Sequence, residues 1–261
     1  MSAMNREEMQ RQLQLIYEDW KRSLRFDKGM AEQLSPPLLL SVPEAYTNAE
    51  CRILFFGQET FGWEWGSDHC TKYPDYPNYP YNDIRSMQDF LANSDAVEAL
   101  CWCYDQFNFS DKQKDNFNSP LWRAFRKVQD WPGVGLIWSN LFRCDYKGDI
   151  KKGRSVLRAP EALRDSLLKA QREFVEQELK VLRPDICLFF TGPRYDLFLY
   201  SAFPGCALHE AVSSISDRQL ARIQHSDLLP TNSFRTYHPG YLNRKRLLES
   251  FLKQLKELAW S

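Results

Sequence analysis

Apolar residues recur at helical spacing from the start of the chain. Met9, Leu13, Ile16, Tyr17, Trp20 and Leu24 fall on one stripe, which predicts an amphipathic helix. Asn5 followed three positions later by Glu8 reads as a capping box at its start. Pro36, Pro37 and Pro43 then break the chain into a connector. CRILFFG (51–57) is a short apolar run ending at glycine, the pattern of a strand buried on both faces. The next stretch, to about residue 83, is rich in Tyr, Pro, Trp and Gly. It is too irregular for a regular element and too aromatic for a solvated linker. Ile84, Met87, Phe90 and Leu91 predict a helix, and Val97, Leu100 and Cys101 another. The polar run 105–119 reads as an exposed insertion.

From Ser119 the alternation becomes regular. Ser119-Pro120 is a helix-start signal ahead of Leu121, Trp122, Phe125 and Val128. VGLIWSN (134–140) reads as a second buried strand. A basic loop follows, then a long helix from about Pro160 that carries Leu163, Leu167, Phe174, Val175, Leu179 and Leu182. Arg183-Pro184 should end it. DICLFFTG (185–192) is a third strand. A helical or irregular stretch leads to SFRTYHPG (233–240), a fourth strand closing at His-Pro-Gly. Asn243 then reads as the cap of a C-terminal helix bearing Leu247, Phe251, Leu255 and Leu258. Strands apolar on both faces, alternating with helices, predict an α/β fold. The expectation is a three-layer αβα sandwich around a central, mainly parallel four-stranded sheet. A single domain spans 1–261, with an N-terminal helical extension to about residue 35.

Hydrophobic residues make up 43% and charged residues 26%, ordinary globular usage that excludes wholesale disorder. Lys+Arg and Asp+Glu both number 34, so a globally basic coat is excluded and any nucleic-acid site must be a local patch. No apolar run approaches the ~18 residues of a membrane span, and MSAMNREEMQRQ has no signal-peptide core. The seven cysteines form no CxxC pair, so reduced thiols, a cytoplasmic location and a monomer are the expectation. His69, Cys70, Cys101 and Cys103 match no standard zinc spacing; no metal and no cofactor is expected.

In such a sheet, ligands bind beyond the carboxyl ends of the strands. Three strand ends carry polar residues: Gln58 and Glu59 after the first, Asn140 in the second, and His238 after the fourth. Gln58 and Glu59 read either as backbone caps or as an amide and a carboxylate facing a pocket, where a carboxylate orients water or steadies a developing cation. Asn140, flanked by apolar residues, reads either as a satisfied turn amide or as a reader of a pyrimidine's N–H and C=O edge. His238, in a tight His-Pro-Gly exit, is placed to polarise a carbonyl or leaving group.

Together these residues resemble a family. Gly57-Gln58-Glu59-Thr60-Phe61-Gly62 resembles the water-activating motif GQDPYH of uracil-DNA glycosylases, and His238-Pro239-Gly240-Tyr241-Leu242-Asn243 resembles their DNA-intercalation motif HPSPLS. Asn140 within IWSNLFRCD falls where the family carries its uracil-reading Asn, and PDICLFFTGPRYD resembles the third strand and its following glycine. The similarity spans roughly residues 50–250 and points to a divergent member of the uracil-DNA glycosylase-like superfamily. The resemblance implies Glu59 as the water-orienting carboxylate and His238 as the donor to the departing base. It implies Gln58 (through its backbone), Phe61 and Asn140 as base-binding residues, with Phe61 excluding a thymine methyl. It implies Gly240, Leu242, Arg244, Lys245 and Arg246 as DNA contacts, with Leu242 as the wedge.

The charge distribution offers two tracks for phosphates. Residues 141–164 hold seven basic residues (Arg143, Lys147, Lys151, Lys152, Arg154, Arg158 and Arg164) against three acidic ones, and residues 230–246 hold Arg235, Arg244, Lys245 and Arg246 with no acid. Trp63, Trp65 and the tyrosines of 73–81 either stack on bases or pack their loop onto the domain. The expected activity is hydrolysis of the N-glycosidic bond of uracil or a related deaminated base in duplex or single-stranded DNA. The alternatives are a non-catalytic nucleic-acid or nucleotide-binding member of the superfamily, or an N-glycosidase acting on a small nucleoside or on RNA. For Leu242, the alternative to a wedge is a hydrophobic staple beneath the C-terminal helix.

Overall fold

The computed structural model describes residues 4–66, 80–109, 119–148, 155–224 and 228–260. Helices α1 (Arg6–Ser23), α2 (Lys28–Glu32) and α3 (Glu44–Thr47) precede strand β1 (Cys51–Glu59). Helices α4 (Met87–Ala92), α5 (Ala96–Phe109) and α6 (Pro120–Gln129) lead to β2 (Val134–Phe142). Helix α7 (Glu161–Leu182), β3 (Ile186–Phe189), α8 (Asp196–Ala202), β4 (Ala207–Glu210), β5 (Leu220–Gln224), β6 (Asn232–Thr236), α9 (Pro239–Arg244) and α10 (Leu248–Ala259) complete the order.

The sheet is six-stranded, in the order β2-β1-β3-β6-β5-β4. The four strands expected from the sequence are its parallel part, β2-β1-β3-β6. The expectation of only four strands is corrected by β5 and β4, which add antiparallel to β6 and make the sheet mixed. These two strands are short, and β4 is largely exposed, so neither carries the continuous apolar run by which the other strands are read. The first two strands also run two residues further than their apolar cores, because pairing continues to Glu59↔Phe142.

Several local signals act as expected. Asn5 accepts a hydrogen bond from Glu8 N at 2.9 Å, but the Glu8 carboxylate turns to Arg11 and Gln12 instead of closing the box. Ser119 caps α6 through Trp122 N at 3.3 Å, with Pro120 in the first turn. Arg183 ends α7 in the left-handed region, φ 46°, directly before Pro184. The polar run 105–119 is not all insertion, since α5 continues through Phe109; residues 110–118 lie outside the described residues. Asn243 caps nothing: it lies inside α9, and α10 starts after Leu247 without a side-chain cap.

Helix α6 packs on β2 and against α9 and α10, while α1 packs along α7, which also meets α8. Met9, Leu13, Tyr17 and Trp20 of α1 lie in the same buried apolar cluster as the sheet. Phe56 and Phe189 stack across β1 and β3 at 4.4 Å, as Phe55 and Phe190 do at 4.5 Å, each pair worth about 0.5–1.5 kcal/mol beyond its buried area. The outer edge of β2 is covered. The Tyr104 hydroxyl donates to Trp138 O at 2.6 Å and accepts from Trp138 N at 3.1 Å, and Leu38 N donates to Arg143 O at 2.7 Å.

A charge network lies between α1, α7 and the end of β2. Arg143 and Glu178 are 1% and 2% exposed at their side chains and form an ion pair. Tyr17 donates to the other Glu178 oxygen at 2.5 Å and accepts from Leu40 N at 3.2 Å. Gln171 accepts from Arg143 N at 3.1 Å and donates to Leu141 O at 2.6 Å. Arg143 therefore belongs to the core and not to a phosphate track.

Removing one member of a buried pair strands the other charge. Glu178→Ala is expected to cost about 3–5 kcal/mol in urea unfolding. The double change Arg143→Met with Glu178→Leu is expected to cost far less, because no charge is left behind. Equal losses for the two proteins would show that packing, not charge, sets the cost.

Candidate functional site

The carboxyl ends of β1, β2, β3 and β6 form one rim, and contacts between neighbouring ends link its residues. Gly57 pairs with Asn140 across β1 and β2, and a Cβ at Gly57 would stand 2.3 Å from Asn140 Oδ1. Only glycine leaves room for that amide. Gln58 Nε2 donates to Thr191 O at 2.6 Å, joining β1 to the exit of β3. Gly192, at φ 73°, donates its N–H to Thr236 O at 2.9 Å. A Cβ there would stand 3.7 Å from His238 N, so the exits of β3 and β6 touch. Asn140 and His238 are separated by three strand spacings, about 14 Å of backbone.

Alternation along the strand sorts these residues by face. Gly57 and Glu59, with Asn140 opposite Gly57, share one face, and Gln58 takes the other. The reading of Gln58 and Glu59 as a pair of side chains facing one pocket is therefore corrected: the Gln58 amide is turned away, to Thr191. Both residues also belong to β1 itself, and Asn140 sits two residues before the end of β2.

Asn140 is 2% exposed. With its amide turned so that both ends are matched, it donates to Ser139 O at 3.1 Å and accepts from Thr60 N at 3.2 Å. Among the described residues, one amide hydrogen and one oxygen lone pair remain without a partner. At the carboxyl ends of β1, β2 and β3, the hydroxyls of Thr60, Ser139 and Thr191 are buried and make no hydrogen bond among the described residues. Three such hydroxyls at one end of a sheet are unusual, since buried polar groups are nearly always paired.

Glu59 is held by three donors. Its Oε1 accepts from Ser155 Oγ at 2.7 Å and Tyr195 OH at 2.8 Å, and its Oε2 from Val156 N at 2.5 Å. Burial raises the Glu59 carboxyl above the usual range, and the three hydrogen bonds work against that rise. Ser155 and Tyr195 were not legible as site residues. Ser155 precedes a short 3₁₀ turn, Val156–Arg158, and Tyr195 closes another, Pro193–Tyr195; no spacing rule ties either to Glu59. Tyr195 within TGPRYD, directly after a strand end, is the nearest thing to a signal.

His238 is half-buried at the start of α9. Its Nδ1 accepts from Gly240 N at 3.0 Å, which fixes the neutral tautomer with the proton on Nε2. Burial first, and the nearby Arg244 charge second, push its pKa down to about 4. Gly240 serves this contact: a Cβ there would lie 3.1 Å from His238 Nδ1.

The remaining expected residues divide. Phe61 is 81% exposed, so its ring is a projecting surface and not a wall held against a pocket. Gly62 N, next to it, is anchored on the Asp145 carboxylate. Leu242 is 0% exposed and part of the core. The wedge expectation is thus overturned: this side chain fills the space under α9 and has no apolar tip to insert into a stack. Arg244, Lys245 and Arg246 are exposed. Arg235 is buried and paired with Asp196 at 2.9 Å, which removes it from the second basic track.

In the first track, Lys147 pairs with Glu64 at 3.2 Å, and Arg164 donates to Leu157 O and Ala159 O. Arg158 is exposed, and Lys151, Lys152 and Arg154 lie outside the described residues. Trp63 and Trp65 are buried and pack their loop onto the core, with Trp63 donating to Pro37 O at 3.1 Å. Paired backbone bonds between Trp65 and Ile84 close the base of that loop. Tyr81 donates to Glu98 at 3.1 Å, and the tyrosines before it lie outside the described residues.

Cys101 and Cys103 are buried in α5, His69 and Cys70 lie outside the described residues, and among the described residues no His/Cys/Asp/Glu group is arranged to hold a metal. No helix among them is long and apolar enough to cross a membrane. No family model matches the chain, and no curated protein matches it.

The depressed pKa of His238 makes a stability prediction. Its folded value lies below the ordinary histidine value, so the unfolded chain binds this proton more readily. The contribution is complete above about pH 6.5 and is lost as pH falls towards 4. His238→Asn keeps a capping side chain and removes the titration. Wild type is expected to lose about 3 kcal/mol more than the variant between pH 7 and pH 4, read by urea unfolding at each pH. Parallel pH profiles would place His238 in solvent.

Proposed function

We propose that this chain is an N-glycosidic hydrolase, a divergent member of the uracil-DNA glycosylase-like superfamily with a three-layer αβα architecture, removing uracil or a related deaminated base from DNA. The observation that carries the reading is His238: a neutral imidazole whose Nδ1 is taken by Gly240 N, leaving Nε2–H as a donor. It stands on the same sheet rim as a half-buried carboxylate, Glu59, and an amide, Asn140. A base inside a duplex is out of reach, so the nucleotide is extruded first.

The chemistry follows the separation of charge. As the bond between C1′ and the base nitrogen lengthens, its electron pair leaves with the base and the sugar becomes cationic. The Nε2–H of His238 supports the developing anion on a base carbonyl oxygen, and the Glu59 carboxylate faces the cationic sugar and orients the water. Water oxygen bonds to C1′. One water proton is shed to Glu59 and then to solvent, and the departing base takes up one proton from solvent. The products are an abasic sugar and the free base. Asn140 reads the base through the amide hydrogen and the lone pair that the protein leaves open. Arg244, Lys245 and Arg246, exposed beside His238, hold phosphates.

A second reading draws on the Glu59 contacts. A carboxylate with three protein donors also suits a pocket that binds nucleic acid without cutting it.

The test is release of uracil from a uracil-containing oligonucleotide, followed by alkaline scission of the abasic product. Product from wild type and a loss of at least a hundredfold in Glu59→Gln, with binding changed little, is expected. Asn140→Ala is expected to lose about 1–3 kcal/mol of discrimination between uracil and other bases. Tight binding of abasic or single-stranded DNA without any product would support the second reading and remove the first. Equal rates for wild type and Glu59→Gln would take Glu59 out of the mechanism.

A further inference from the structure

Glu59 is half-buried at the end of β1, and among the described residues the groups that hydrogen-bond it are Ser155, Val156 N and Tyr195, all neutral. An ionised carboxylate in that position is costly unless hydrogen bonds replace its lost water. The three donors are distributed unevenly. Ser155 Oγ and Tyr195 OH both go to Oε1, at 2.7 and 2.8 Å, whereas among the described residues Oε2 takes only Val156 N, at 2.5 Å. Among the described residues, one lone pair of Oε2 is left for a further donor.

The two side-chain donors come from separate segments, each locally fixed. Ser155 Oγ also accepts from Leu157 N at 3.3 Å, opening the turn Val156–Arg158. Tyr195 is 3% exposed, with its ring edge-on to Phe142 and Phe198 at 6.4 and 5.8 Å. Neither can swing away from Glu59 without breaking its own packing or turn. A carboxylate gripped on one oxygen has a fixed plane, so the open lone pair of the other oxygen has a fixed direction.

We propose that Ser155 and Tyr195 are positioning residues for Glu59: they fill Oε1, hold the carboxylate ionised in its half-buried place, and aim the open side of Oε2 at the attacking water. The inference rests on the hydrolase reading above. Neither residue touches the substrate; both act through Glu59. Since hydrogen bonds to the charged form lower a carboxyl pKa, loss of either donor lets burial raise it further.

The experiment uses the full chain and three variants. Tyr195→Phe keeps the ring and its two aromatic neighbours, Ser155→Ala removes the hydroxyl, and Ser155→Thr restores one. The first readout is the uracil-release assay over a pH range. Tyr195→Phe and Ser155→Ala are expected to lower kcat at least tenfold with KM within about twofold, and to move the acidic limb of the kcat profile up by about one pH unit. Ser155→Thr is expected to recover most of both. The second readout needs no turnover: the Glu59 side-chain carboxyl is followed by carbon-13 NMR, assigned by its loss in Glu59→Gln. Its midpoint is expected to rise by about one unit in Tyr195→Phe and Ser155→Ala. An unmoved midpoint and an unmoved acidic limb, whatever the change in kcat or thermal stability, overturn the positioning role. Should Tyr195→Phe fail to fold, the Ser155 pair decides alone. A wild type that releases no base overturns the hydrolase reading and the water-aiming step with it. The carboxyl titration still decides whether the clasp holds Glu59.

Discussion

One buried ion pair governs how the rest of the molecule meets. Arg143 follows β2 directly and Glu178 lies on α7; their side chains are almost wholly out of water. Two charges in such a place need hydrogen bonds to replace their lost water, and all but Arg143 Nε of the pair's polar atoms find a partner among the described residues. The matching drafts distant parts of the chain into one arrangement. Tyr17 from α1 meets Glu178, Arg143 donates to Leu38 O, and Gln171 from α7 bridges Leu141 and Arg143. The connector at 35–38 is thereby pressed against the segment after β2. Ser35 and Asp145 then exchange bonds, with Ser35 N donating to Asp145 O at 3.0 Å and Asp145 N to Ser35 Oγ at 2.9 Å. Asp145 in turn grips Gly62 N, three residues past Glu59. The position of the loop beyond the candidate carboxylate is thus set by a charge pair in another layer of the molecule.

The parallel part of the sheet was legible because its strands are apolar on both faces, a pattern that no exposed segment imitates. The segment around 193–232 was not. Leu220, Ala221 and Ile223 are buried, but β4 has only Leu208 partly buried among exposed neighbours, and an edge strand needs no apolar run. Arg143 and Arg235 were read as surface charge because sequence composition records the charge and not its partner. Their partners, Glu178 and Asp196, are 35 and 39 positions away. Leu242 shows the same limit in reverse: a leucine ahead of Arg244-Lys245-Arg246 suits both a tip and a plug. Only the packing of α9 on α6 separates them, and the residue is a plug.

The rim at the carboxyl ends was legible as a place, since β-strand order and alternation bring strand ends together whatever their side chains. Its inner wiring was not. That Gln58 turns from Glu59 follows from β1 extending two residues beyond its apolar core, an extension driven by the pairing of Glu59 with Phe142 and not by local pattern. That Ser155 and Tyr195 close on Glu59 depends on two short 3₁₀ turns, elements too brief to leave a periodic trace. His238 is the case in which sequence carried most, because proline fixes the exit and glycine two residues on leaves room for the ring.

The 2.3 Å approach between the Cβ position of residue 57 and the Asn140 amide also constrains how this chain can diverge. The two positions lie 83 apart in sequence yet share one small volume, so they cannot drift independently. A lineage that keeps the amide at 140 must keep glycine at 57, whereas one that shortens 140 to serine or alanine releases 57 to acquire a side chain. Among descendants, the pair should therefore change in that order and seldom in the other, and residue 57 would serve as a sequence-level reporter of whether the amide at 140 is still under selection.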